Sequence, residues 1–154
     1  MKRKTRLIRE QLEKNLRQFE PLRDLSPPVK GWIRAIRDAL GMNGRQLADR
    51  LGGHRSRTKQ IEQQELTGSL TIKTMRRIAE CLDCIFVYGF VPRSTLDATL
   101  RKQAQQVAAK RLAQASQTMA LEDQALSTKE NNKILSEMVD ELIRTLPSNL
   151  WNKS

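Results

Sequence analysis

Apolar positions recur at helical spacing through most of this chain. Leu7, Ile8, Leu12, Leu16 and Phe19 share one side of a helix predicted over residues 5–20, with Arg6, Arg9, Lys14 and Arg17 on the other. Pro21 ends it, because proline lacks the amide proton a helix needs and restricts the residue before it. Ser26-Pro27-Pro28 is a second break and a natural helix start. Val29, Trp32, Ile33, Ile36 and Leu40 then form one continuous stripe, closed by Gly41 as a C-cap that tolerates a left-handed backbone. Asn43 is a favoured N-cap for a short helix burying Leu47, Ala48 and Leu51. Gly52-Gly53 turns the chain, and a further helix runs from about Arg55 to Gln64, anchored by Ile61. Thr71 caps another, with Ile72, Met75, Ile78, Ala79 and Leu82 inward and Leu70 and Met75 placed as a hydrophobic staple.

The pattern changes at Ile85-Phe86-Val87-Tyr88-Gly89-Phe90-Val91, an apolar, β-branched and aromatic run ended by Pro92, which predicts a strand. A lone strand leaves its N–H and C=O edges unpaired, and the simplest partner is the same strand of a second copy across a two-fold axis. Ile85, Phe86, Val87, Tyr88 and Phe90 are therefore the expected dimerisation residues of a homodimer. From Ser94 the chain is helical again through Leu96, Leu100, Val107, Leu112 and Met119. A second C-terminal helix begins near Ser127-Thr128, with Ile134, Leu135, Met138, Leu142 and Ile143 on one side and Glu130, Glu137, Asp140 and Glu141 on the other. Pro147 stops it. The expected class is mainly α. A basic N-terminal helix (1–24) precedes a helical domain ending in one short dimerising strand (25–93), and a helical extension follows (94–154).

Charge adds direction to this picture. Residues 1–93 carry 20 Lys/Arg against 10 Asp/Glu, a net of +10, whereas residues 94–154 carry 8 against 7, a net of +1. Positive charge gathered on one part of a chain attracts polyanions. Aromatic residues make up only 4% of the sequence, which disfavours stacking platforms for single strands and leaves double-stranded DNA as the expected partner. No apolar run reaches the roughly 20 residues of a membrane span, and Lys2-Arg3-Lys4 is not followed by a signal-peptide core, so a cytoplasmic protein is expected. Cys81 and Cys84 are the only cysteines and His54 the only histidine, too few for a structural zinc site. Metals and cofactors are not expected. Paired histidines, a phosphate-binding glycine loop and a nucleophile motif are all missing, so an enzyme is not expected either.

Residues 43–62 have the internal geometry of a helix-turn-helix. Ala48 is small where two steeply crossing helices approach, Gly52 accepts the turn backbone, and Leu47, Leu51 and Ile61 supply the shared core. The second helix then offers its solvent face to the major groove. Arg55, Ser56 and Gln60 are the expected base readers, since Arg forks onto guanine O6 and N7 and Gln pairs with adenine N6 and N7. Arg45, Arg57 and Lys59 are the expected phosphate contacts, which position without reading sequence.

The stretch from about Gly31 to Leu82 resembles the phage-repressor-type (Xre/Cro) helix-turn-helix family. Gln46-Leu-Ala48, Leu51-Gly52, Gln60-Ile-Glu62 and Met75-Arg-Arg-Ile-Ala-Glu80 carry the likeness. The longer string from Leu25-Ser-Pro-Pro-Val-Lys-Gly-Trp-Ile-Arg34 to Cys84-Ile-Phe-Val-Tyr-Gly-Phe-Val-Pro-Arg93 resembles the family called mobile mystery protein A. That resemblance implies a lambda-repressor-like domain and an antitoxin-like, autoregulatory repressor paired with a Fic-domain toxin. Three positions depart from the family pattern: Gly53 and His54 in the turn, and Thr58 at a core site usually held by Val or Ile. An unpaired hydroxyl there would cost about 1 kcal/mol and loosen the second helix. The alternative is a protein that neutralises a toxin by contact through its C-terminal helices, with Ile134, Met138, Leu142 and Trp151 as partner-binding residues. A loose approach to the inhibitory helix of Fic inhibitors, Thr118 to Glu122, breaks at Asp123.

Overall fold

A computed structural model describes residues 2–54, 56–121 and 127–152, with only the backbone at 2, 3 and 119–121. The chain divides into two compact units, one of residues Pro21–Gly89 and the other of Met1–Glu20 with Phe90–Ser154. Both are helical. The elements in chain order are α1 (Lys2–Arg17), a 3-10 turn (Glu20–Leu22), α2 (Trp32–Ala39), α3 (Gly44–Arg50), α4 (Ser56–Thr67), α5 (Ile72–Cys81), α6 (Leu96–Leu121) and α7 (Thr128–Thr145).

The unit of α2–α5 closes around Ile33, Leu47, Leu51, Ile61, Ile78 and Leu82, with Ile36, Met42, Leu70, Met75 and Cys81 packed against them. Its helix ends follow the expected chemistry. The Asn43 side chain accepts from Gln46 N while Gln46 reaches back to the Asn43 amide, a full capping box at the start of α3. Thr71 caps α5 by accepting from Thr74 N. Gly41 (φ +64°) ends α2, the Met42 amide bonding back to Arg37 O, and Gly52 (φ +69°) makes the turn after α3.

Two expectations need correction here. The helix predicted from the Pro27-Pro28 break starts only at Trp32, leaving Val29 almost fully exposed. The cause is a long-range cap, in which the Glu65 carboxylate accepts from Trp32 N (2.8 Å) and Ile33 N (3.1 Å). Gly31 (φ +81°) lets the carboxylate in, since a Cβ there would lie 2.5 Å from Glu65 Oε2. The second correction concerns Ile85–Val91, where no strand forms among the described residues. A strand exists only with a neighbour to bond, and among the described residues nothing bonds the backbone of 85–91.

In the other unit, α6 and α7 form an antiparallel hairpin around Leu100, Ala104, Ala108, Val139, Leu142 and Leu150. Ala104 and Ala108 stand one turn apart and are fully buried, which lets α7 approach α6 closely. Ser127 and Glu130 make a capping box at the start of α7, and Leu146 in the left-handed region ends it before Pro147. Helix α1 joins this unit through Arg9 to Asp97 and through Glu13, whose carboxylate accepts from Leu96 N at 2.9 Å. Its Leu7, Ile8 and Leu12 remain about half exposed.

Candidate nucleic-acid interface

Helices α3 and α4 follow each other through a turn at Leu51–Gly53 and are held by polar bonds as well as by the core. Arg37 of α2 bonds Glu62 of α4 at 2.7 Å and Met42 O at 2.8 Å, and both charged side chains are nearly buried, at 11% and 13% exposure. Thr58 is buried, and its hydroxyl donates to Gly44 O at 2.6 Å. The cost expected for an unpaired hydroxyl therefore does not arise. The bond ties the first turn of α4 to the first residue of α3. Arg77 of α5 donates to Leu51 O at 2.8 Å, and Arg50 to Cys81 O at 3.3 Å, so α5 braces the turn from behind.

With Thr58 and Ile61 turned inward, the opposite side of α4 carries Ser56, Gln60 and Gln63 in line, spaced i, i+4 and i+7, all exposed. Gln63 is missing from the expected reading set, although its spacing from Gln60 is visible in the sequence. Arg55, expected as a base reader, lies outside the described residues. Arg57 and Lys59 flank this line on opposite sides. Lys59 borders a cleft of about 460 Å³ shared with Arg45, Asn43, Thr58 and the Arg37–Glu62 pair. Arg57 borders a smaller cleft of about 150 Å³ lined by Leu51, Ile61, Lys73, Thr74, Arg77 and Ile78. The structure brings together Ser56 and Gln60 on one face of α4 and Arg45 and Lys59 around one cleft. Arg57 falls on the other flank, beside α5.

Gly53 also gains a physical role. A Cβ at this position would lie 3.3 Å from Arg57 Cγ, so glycine leaves room for the Arg57 stem. No shape in the sequence signals this. The contact depends on the turn that Arg77 closes.

The proposed dimerisation residues lie in a segment without regular secondary structure and with a mixed face. Phe86 is half-buried and stacks on Tyr88 with ring centres 6.2 Å apart, and Arg76 of α5 lies over the Tyr88 ring at 5.8 Å. Ile85, Val87 and Phe90 are 89%, 69% and 79% exposed, which is unusual for such residues. Among the expected partner-binding residues, Leu142 packs in the α6–α7 core and also forms part of the groove that Ile134 and Met138 line. Ile134 and Met138 line a groove with Glu137, Glu141 and Arg111, while Trp151 is exposed by a separate groove beside Leu146 and Leu150.

Cys81 and Cys84 are free thiols, and among the described residues no group of three or more His, Cys, Asp or Glu side chains is placed to hold a metal. No described helix is long and apolar enough to cross a membrane. Compared with protein-family models, with curated proteins and with solved structures, the chain matches none.

Proposed function

We propose that this chain is a sequence-selective, double-stranded DNA-binding repressor that reads the major groove with α4. The observation that carries the reading is the exposed line Ser56–Gln60–Gln63, neutral and hydrogen-bonding, between flanks of cations. That division matches what a duplex presents, with base edges in the groove and phosphates along its two rims. Arg55 joins the readers on the sequence argument alone. The segment 85–90 gives the protein its second half-site reader, pairing with its own copy so that a homodimer meets a near-palindromic operator. Its unbonded backbone and exposed Ile85, Val87 and Phe90 support that pairing.

The likeness to mobile mystery protein A extends the reading to an autoregulatory antitoxin of a Fic-domain toxin, with a lambda-repressor-like fold for residues 25–93. A second reading, neutralisation of a toxin by direct contact, is favoured by the groove of Ile134 and Met138 with its Glu137 and Glu141 rim on α7. The two activities are compatible in one protein. The test for the first is titration of a duplex from upstream of the chain's own gene against a random duplex of the same length. Gln60→Ala should lose about 1–3 kcal/mol on the first and far less on the second. Equal loss on both would remove Gln60 from the readers.

A further inference from the structure

The cleft between α4 and α5 is chemically unlike the rest of the surface around it. Three cations, Arg57, Lys73 and Arg77, converge there with the Thr74 side chain, and no carboxylate lines it. The floor is the buried pair Ile61 and Ile78 with Leu51. Among the described residues neither Arg57 nor Lys73 has an ion-pair partner or a side-chain hydrogen bond. Arg77 spends one N–H on Leu51 O, which fixes its guanidinium at the cleft. Gly53 leaves room for the Arg57 stem, where a Cβ would lie 3.3 Å from its Cγ. Like charges gathered without a counter-charge raise the local positive potential and favour an anion among them.

We propose that this cleft is a second phosphate-binding site, taking a backbone phosphodiester of the same duplex whose groove α4 reads. The inference rests on the DNA-binding reading and adds Lys73 and Arg77 of α5 to the contact surface. Arg57 sits one position from Ser56, so a phosphate held in the cleft lies at the rim of the groove that Ser56, Gln60 and Gln63 face. The site is a clamp of point charges and forks, with no base edge within its chemistry. It fixes register and strengthens binding to every sequence alike.

The test uses the full-length protein and fluorescence-anisotropy titrations of the upstream duplex and a random duplex across a series of salt concentrations. Lys73→Gln and Arg57→Gln should each lower the slope of log K against log salt by about 1. Each should weaken binding about eightfold at 0.1 M salt, equally on both duplexes, as the counter-ion term of one phosphate contact requires. Lys73→Arg should restore binding. Lys102→Gln, which removes an exposed charge from α6, should change neither slope nor affinity and so separates a local contact from net charge. Both cleft side chains are exposed, so thermal melts should coincide with wild type. A Lys73→Gln protein with the wild-type slope, or one weakened only on the upstream duplex, overturns the cleft assignment while leaving the DNA reading intact. Wild-type protein that binds neither duplex overturns both.

Discussion

At the scale of single residues, the most informative side chains are polar groups that organise backbone. Glu65 is one, closing the start of α2 from the far end of α4 through two amide bonds. Glu65→Ala should destabilise the α2–α5 unit by about 1–2 kcal/mol, the range for loss of a charged cap, as read by urea denaturation. Gly31→Ala should cost at least as much, because a Cβ meets the carboxylate and φ is positive. Thr58 is another. Thr58→Ser, which keeps the bond to Gly44 O, should be closer to wild type than Thr58→Ala, which loses both that bond and the packed methyl. Glu130 contributes at the start of α7, where its hydrogen bonds with Ser127 hold its carboxyl below the usual carboxylate range. A folded pKa below the unfolded one means a contribution that is full above the ordinary carboxylate range. It is lost as pH falls through the depressed value. An NMR titration of Glu130 should show the depression, and Ser127→Ala, which removes the hydroxyl but keeps the backbone N–H, should reduce it.

At the scale of elements, caps and turns were legible and long-range partners were not. Asn43, Gly41, Gly52, Thr71 and Ser127 act within a few residues of their own position, so the start or end of a helix could be read beside each of them. The start of α2 could not, because Glu65 stands more than thirty residues away and nothing near Val29 signals it. The framework of the α3–α4 pair was likewise visible in Ala48, Gly52 and Ile61. Its cationic cleft was not, since Lys73 and Arg77 line it together with Arg57 only through the packing of α5 on the turn. The Arg37–Glu62 pair is the brace whose removal should show this coupling. Arg37→Met should leave Glu62 nearly buried without its partner and destabilise the unit by about 3 kcal/mol, whereas the double change to Met and Leu should recover much of that loss.

At the scale of the whole molecule, the proposed DNA reading has to explain how one short helix becomes selective. A single reading helix addresses only a few base pairs, and the proposed pairing through segment 85–90 would double the reader. Light scattering on the eluted protein should give the mass of a dimer. Val87→Lys should shift it to a monomer, because a charge replaces an exposed apolar group at the proposed pairing edge. A wild-type protein that stays monomeric at every concentration would remove the two-fold reader from the account. Reading of duplex sequence by α4 is open to competition binding. Wild-type protein bound to the duplex upstream of its own gene should resist a large excess of random duplex, and Gln60→Ala should lose that preference while still binding both weakly. Displacement by random and upstream competitor at equal concentrations would show that α4 does not read sequence.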